Sequence, residues 1–212
     1  NGIWLGVECD LSQEVFIYNK SQKVLEKLME AGFHSRFGSA PMNLKRSISQ
    51  DLQVKYFVDM ELDLNENSEF VVISNLYKTE DGKLQTSHTF INKDIFTIID
   101  EVSSQVRKDL DIPEGVSEDL PIQDMLTYSL DAYKEFANGF GIMLTGDFQG
   151  GISFIEKAID IDETFAMAYL TLQGAYVMTN QGDKREETIK KCMKYLYRLP
   201  ERYHYIVKVI YF

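Results

Sequence analysis

The pattern of apolar and polar positions divides the chain into a mixed first half and a helical second half. A short β-rich run, Glu14–Tyr18, comes first. The segment that follows, residues 21–33, repeats its apolar residues at helical spacing, and Gly32 is placed to end that helix. These apolar positions are Val24, Leu25, Leu28 and Met29. A second short helix is predicted over residues 42–52.

Three strands are predicted next, over Val54–Leu64, Glu69–Lys78 and Leu84–Ile91. Asp81 and Gly82 separate the last two strands and predict a hairpin turn. A helix with one apolar stripe follows, and the Asp94 side chain is suited to cap its first turn. Residues 1–110 therefore predict an α+β or α/β domain in the order β-α-α-β-β-β-α, a mixed sheet covered by helices.

A change of composition marks the end of this domain. Residues 109–124 hold two prolines, one glycine and six acidic residues but no base. Such a stretch is typical of an extended connector, because it offers little apolar surface to bury. We place an acidic linker at residues 111–124, between a domain at 1–110 and a second region at 125–212.

The second region predicts helices alone, joined by short turns such as "TGD" and "LPE". Antiparallel helices joined this tightly form helical hairpins, so this region is predicted to be all-α. The predicted helices are Leu126–Leu144, Phe148–Ile161, Ala166–Thr179, Arg185–Arg198 and Arg202 onward.

The stretch "TGDFQGGISFIEKAIDIDETFAMAY", residues 145–169, decides between a phosphate-binding loop and a repeat. No Gly-Lys-Ser/Thr follows its glycines, and they follow a helix rather than a strand, so a nucleotide loop is disfavoured. Aligning its Gly146-Asp147 with Gly182-Asp183 gives a repeat of about 34 residues, the period of tetratricopeptide repeats. Gly139, Gly151 and Ala158 then stand where the motif places small residues that let two helices approach closely.

The second repeat unit, which starts at Ala166, departs from the motif. Gln173 replaces its usual small residue, and Gly182-Asp183 comes two residues late. The run "RLPERYHYIVKVIYF" looks like the first helix of a third unit. We read the chain as a piece of a larger protein, since it starts without methionine and ends on an apolar run.

The order of parts resembles the C-terminal regions of bacterial signalling proteins that join a TolB-like α/β domain to tetratricopeptide repeats. The joint "PIQDMLTYSLDAYKEFANG" and the run "AIDIDETFAMAY" carry most of this resemblance. In such proteins these regions follow serine/threonine kinase, adenylate cyclase or winged-helix domains. The stretch "GIWLGVECDLSQEVFIY" is shorter than the corresponding segment of those proteins. The resemblance implies a position on the periplasmic side of a membrane-anchored parent.

In a tetratricopeptide hairpin the first helix lines a concave groove. The resemblance therefore implies a partner groove made of seven residues, which are mostly apolar. They are Tyr133, Phe136, Phe140, Met143, Met167, Leu170 and Gly174. Two interpretations stay open: these residues pack against the first domain or the next repeat, or they form a docking groove for a helix or an extended segment.

The chain is acidic, with 33 Asp and Glu against 22 Lys and Arg and a formal charge of -11. Such a charge repels polyanions, so a nucleic-acid partner is disfavoured, and no apolar run is long enough to predict membrane contact. A late basic run, residues 184–198, predicts the solvated face of a helix. It could alternatively face an acidic partner, such as the chain's own residues 109–124.

Candidate catalytic and metal-binding motifs are weak. His34, His88 and His204 are isolated, Cys9 and Cys192 predict two free thiols, and the acids at residues 160–163 resemble solvated turn residues. There is no Gly-x-Ser-x-Gly and no calcium-loop spacing. We therefore predict no catalytic residues, no metal and no cofactor.

Together these observations predict a non-catalytic sensory or protein-interaction region of a signalling protein. Its helical hairpins would bind a protein or peptide, and its first domain would serve as a ligand-binding or docking platform. The alternative is a structural or envelope-assembly module of a periplasmic complex. A third, weaker interpretation is a small-molecule enzyme with its site in the first domain.

Overall fold

A computed structural model describes residues 2–11, 21–33, 40–112 and 120–212 of the chain. The chain divides into two compact units, one spanning Ile3–Glu118 and the other Asp119–Phe212 together with the first two residues. The first unit combines helices with a sheet, whereas the described part of the second unit contains helices without strands. The fold is therefore mixed α+β with helical hairpins.

Within the described residues, the sheet of the first unit has three strands in the order β1-β2-β3, each antiparallel to its neighbour. The bounds of each strand lie within two residues of those predicted. The strands are β1 Tyr56–Leu64, β2 Phe70–Lys78 and β3 Leu84–Asn92. Gly82 has a φ of 71° in the turn between β2 and β3, a conformation that glycine adopts without a steric cost. The expected mixed sheet depended on a strand at Glu14–Tyr18, which lies outside the described residues.

Four helices accompany the sheet among the described residues: α1 Gly2–Leu11, α2 Ser21–Glu30, α3 Met42–Asp51 and α4 Ile95–Asp109. The last three were predicted. Asp94 caps α4 as expected, because its carboxylate accepts hydrogen bonds from the backbone N–H groups of Phe96 and Thr97. Helix α1 was not predicted, since its apolar residues surround the helix instead of forming one stripe.

Helix α4 packs against β2 and β3 and covers the sheet face that carries Val72 and Leu76. At the end of α4, the Asp109 carboxylate accepts a hydrogen bond from the Thr86 hydroxyl and lies 3.1 Å from Nε2 of His88. Two ion pairs with little solvent exposure join other elements. Lys45 on α3 pairs with Asp59 on β1 at 2.7 Å, and Arg107 on α4 pairs with Asp10 on α1 at 3.2 Å.

The helical unit begins with a single helical turn, α5 Ile122–Met125, and continues with longer helices. These are α6 Leu130–Leu144, α7 Phe148–Ile161, α8 Ala166–Met178, α9 Gly182–Lys194 and α10 Glu201–Tyr211, with a 3₁₀ turn at Leu196–Arg198. From α6 to α10 each helix contacts the next, and α6 also contacts α8. The helices are thus stacked in chain order.

Two predicted helix starts were wrong. Helix α6 begins at Leu130, not Leu126, because the Ser129 side chain accepts a hydrogen bond from the Ala132 N–H and caps the helix. Helix α9 begins at Gly182, not Arg185, so the predicted turn pair Gly182-Asp183 forms its first residues. The turn is made instead by Asn180, whose φ is 56°.

Candidate protein-interaction surface

The first helical hairpin turns at "TGD", as predicted. Helix α6 ends at Leu144, and Gly146 adopts a φ of 90°. The Asp147 side chain then accepts a hydrogen bond of 2.7 Å from the Gly150 N–H and caps α7. The turn therefore needs glycine at one position for its backbone and aspartate at the next for its cap.

Gly139 on α6 and Gly151 on α7 lie where the two helices cross. A Cβ atom added to Gly139 would lie 2.8 Å from the carbonyl oxygen of Gly151. A Cβ atom added to Gly151 would lie 2.6 Å from the carbonyl oxygen of Gly139 and 2.5 Å from Cγ of Met143. The backbones are in direct contact, so the expectation that this hairpin requires small residues here is confirmed. Gly141, on the same helix, has open space around it.

The seven residues of the predicted groove are mostly covered. Four of them, Tyr133, Phe136, Met143 and Met167, are buried, and Phe140, Leu170 and Gly174 are half-buried. The Phe136 ring packs on Phe165 with centroids 4.8 Å apart. In this arrangement the four buried side chains belong to the hydrophobic core. Half-buried Phe140, Leu170 and Gly174 are the members that retain solvent exposure.

Asp162, in the turn between α7 and α8, is half-buried rather than a solvated turn acid. Its carboxylate accepts hydrogen bonds from the hydroxyls of Thr127, at 2.6 Å, and Thr164, at 2.7 Å. Burial by itself raises the pKa of Asp162, but these hydrogen bonds outweigh burial and the pKa is lowered. The ionised carboxylate thus links the segment before α6 to the turn before α8.

The Asp162 interaction predicts a change in acid stability. A carboxyl whose pKa is lower in the folded state stabilises the fold above its unfolded pKa of about 3.9, and that contribution disappears as the pH falls through the folded value. Asp162→Asn should therefore lower the free energy of unfolding by about 1 kcal/mol at pH 7. It should also reduce the loss of stability that occurs when the pH is lowered from 7 to below about 4.

Urea unfolding of the intact chain across this pH range measures the effect. Asp160→Asn is the matched control, since Asp160 is exposed in the last turn of α7, two residues before Asp162. If the two variants have the same stability at every pH, the carboxylate of Asp162 does not make the contribution assigned to it.

The histidines and cysteines of the described residues occupy structural positions. His204 Nε2 lies 2.8 Å from the carbonyl oxygen of Leu199, and His88 lies beside Asp109. Cys9 and Cys192 are buried and form no disulfide, and burial raises the pKa of the Cys192 thiol to about 12. The described residues contain no group of three or more His, Cys, Asp or Glu side chains arranged to hold a metal ion. His34 lies outside the described residues.

The late basic run is partly solvated and partly structural. On α9, exposed Lys190 and Lys191 pair with Glu186 and Glu187 one turn earlier, at 2.6 and 3.0 Å. Arg198 differs, because its guanidinium donates hydrogen bonds to the carbonyl oxygens of Gln123 and Leu126. Arg198 therefore connects the start of the helical unit to its 3₁₀ turn by hydrogen bonds.

Helix α10 exposes large apolar side chains that the sequence-based groove did not include. Tyr205 and Val209 lie on its outer side, while buried Val207 lies on the opposite side, and α10 packs against α9. The sequence did contain a signal for this exposure, because apolar residues occur on both sides of this helix. A helix with one buried stripe needs apolar residues on one side only.

Within the described residues, no helix combines the length and the hydrophobicity that crossing a membrane requires. Comparisons of the chain with protein-family models, with curated proteins and with solved structures found no significant match.

Proposed function

We propose that the chain is a non-catalytic sensory or protein-interaction region of a bacterial signalling protein. Its helical unit binds a protein partner, and its α+β unit acts as a ligand-binding or docking platform. The resemblance to TolB-like domains followed by tetratricopeptide repeats motivates the signalling context.

One observation carries the interaction role: the stacking of helices α6 to α10 in chain order. A stack in which each helix contacts its neighbours buries its core between helices and leaves extended outer surfaces. The backbone contact at Gly139 and Gly151 holds the two helices of the first hairpin close together.

Affinity capture with the intact chain, from an extract of the organism that makes it, tests the proposal. We expect a discrete protein partner that is retained in near-stoichiometric amount and that is recovered again when the purified partner and the purified chain are mixed. A matched bait, in which Asp119–Phe212 is replaced by an unrelated helical bundle, should lose the partner.

Two results would contradict this function. One is the absence of any reconstituted partner. The other is robust hydrolase, transferase or kinase turnover by the purified chain, which would make the third interpretation, an enzyme, the better one.

A further inference from the structure

Helix α6 contains an Asn-Gly pair at Asn138 and Gly139. In a flexible chain, asparagine before glycine deamidates more readily than asparagine before a larger residue. The reason is that glycine has no side chain to hinder its own backbone nitrogen, and its backbone reaches conformations that other residues avoid. The chain has one other such pair, Asn1 and Gly2, and Asn1 lies outside the described residues.

The deamidation of Asn138 would take place in two steps. In the first, the backbone nitrogen of Gly139 bonds to Cγ of Asn138 and closes a succinimide ring. The side-chain nitrogen leaves as ammonia and takes the proton of the Gly139 N–H with it. In the second step, water opens the ring at one of its two carbonyl carbons. One opening gives aspartate, and the other gives isoaspartate, in which the main chain passes through the former side chain and gains one carbon atom.

The folded hairpin opposes the first step. Gly139 lies in the middle of the continuous helix Leu130–Leu144, so its N–H is directed at a carbonyl oxygen one turn earlier and not at the Asn138 side chain. Gly139 is also buried, and its backbone is in contact with that of Gly151. The Asn138 side chain itself is exposed to water. Its protection therefore comes from the position of the backbone and not from burial of the carboxamide.

We propose that Asn138 is a modification site that helix α6 protects. It deamidates when the hairpin of α6 and α7 opens, and isoaspartate at this position then keeps the hairpin from closing. The closing defect follows from the helix crossing. An extra main-chain carbon between residues 138 and 139 displaces Gly139 from Gly151, at a place where even an added Cβ atom would lie 2.8 Å from a carbonyl oxygen. A reversible opening of the hairpin thus becomes a permanent loss.

The rate of this reaction depends on how often the hairpin opens. When opening and closing are fast, the rate in the folded chain equals the rate in the unfolded chain multiplied by the open fraction, as in amide hydrogen exchange. Variants that destabilise the hairpin and keep the Asn-Gly pair should therefore accelerate the reaction in the folded chain. They should not change the rate in the unfolded chain, because the reacting pair is the same.

Peptide mapping of the intact chain by mass spectrometry, after incubation at mildly alkaline pH with and without urea, tests the protection. The Asn138 peptide is scored separately from the Asn1 peptide. We expect deamidation of Asn138 to be at least about tenfold slower without urea than with it. Without urea, Phe136→Ala and Gly151→Ala should both accelerate it, Phe136→Ala by at least about tenfold. Gly141→Ala is the matched control and should not accelerate it, since an added Cβ atom there meets open space. In urea all four chains should react at the same rate.

The closing defect is tested on chains deamidated in urea and separated by chromatography into aspartate and isoaspartate forms. After removal of urea, the aspartate form should be as stable as the Asn138→Asp variant, and the isoaspartate form should be less stable than both. Equal rates of deamidation with and without urea would overturn the protection. A rate in the folded chain that neither Phe136→Ala nor Gly151→Ala changes would overturn its dependence on hairpin opening. An isoaspartate form as stable as Asn138→Asp would overturn the closing defect.

Discussion

Replacing Gly139 or Gly151 with alanine is expected to lower the free energy of unfolding by up to about 2 kcal/mol. Alanine in a helix interior would normally gain about 1 kcal/mol over glycine. Here the added methyl group would lie 2.8 Å from the Gly151 carbonyl oxygen, or 2.6 Å from that of Gly139. The two backbones must separate to relieve this contact, and overpacking of this kind costs about 1–3 kcal/mol.

Gly141→Ala is the matched control, because Gly141 lies on the same helix with nothing near its added Cβ atom. This variant should be more stable than wild type by about 0.5–1 kcal/mol. Urea unfolding measures the change in the free energy of unfolding for each variant, and this change should have opposite signs for Gly139→Ala and Gly141→Ala. In the double variant of Gly139 and Gly151 the loss should be less than additive, since separating the helices for one methyl group makes room for the other. Stabilisation by alanine at all three positions would mean that α6 and α7 do not cross at these glycines.

Phe136→Ala is expected to have the largest effect, a loss of about 3–5 kcal/mol in the free energy of unfolding. Phe136 is buried, and its ring lies between those of Phe165, 4.8 Å away, and Phe140, 6.1 Å away. Truncation removes these contacts and leaves a cavity between α6 and the N-terminus of α8 that the surrounding helices can fill only in part. Thermal unfolding followed by circular dichroism measures the loss.

Phe140→Ala provides the comparison, because Phe140 was assigned to the same predicted groove but is only half-buried. We expect a loss of about 1–2 kcal/mol there. Comparing these two variants distinguishes a groove residue that packs in the core from one that docks a partner. If Phe136→Ala leaves stability unchanged and abolishes partner binding, Phe136 is a docking residue and not part of the core.

The sequence largely predicted the local structure at helix caps and turns, where the backbone needs a particular residue type. Asp94 and Asp147 cap α4 and α7, and Gly146 takes the left-handed turn conformation that the Gly-Asp signal indicated. The predicted start of α6 was wrong by four residues. Leu126 and Thr127 fit a helix by their side chains alone, but the Ser129 cap and the bond from Thr127 to Asp162 determine the actual start.

The surface could not be predicted in the same way. Met143 and Phe140 occupy similar positions in the repeat pattern, yet one is buried and the other is half-exposed. The exposure of a residue depends on whether a neighbouring helix covers it. A repeat pattern specifies on which face of its helix a residue lies, but not which element packs against that face. Helix α10 illustrates this, because Tyr205, Val207 and Val209 are all apolar in sequence, yet Val207 is buried and the other two are exposed.

Site-specific photo-crosslinking in the living source organism tests the central claim, that the helical unit is a protein-binding surface, most directly. A photoreactive phenylalanine analogue is placed at Val177 or Val209 of the helical unit, or at Asn67 or Gln85 of the α+β unit, all exposed positions. We predict discrete adducts with one partner protein from the positions of the helical unit. The absence of any adduct from Val177 and Val209, with the protein folded and present at its natural level, would contradict the account.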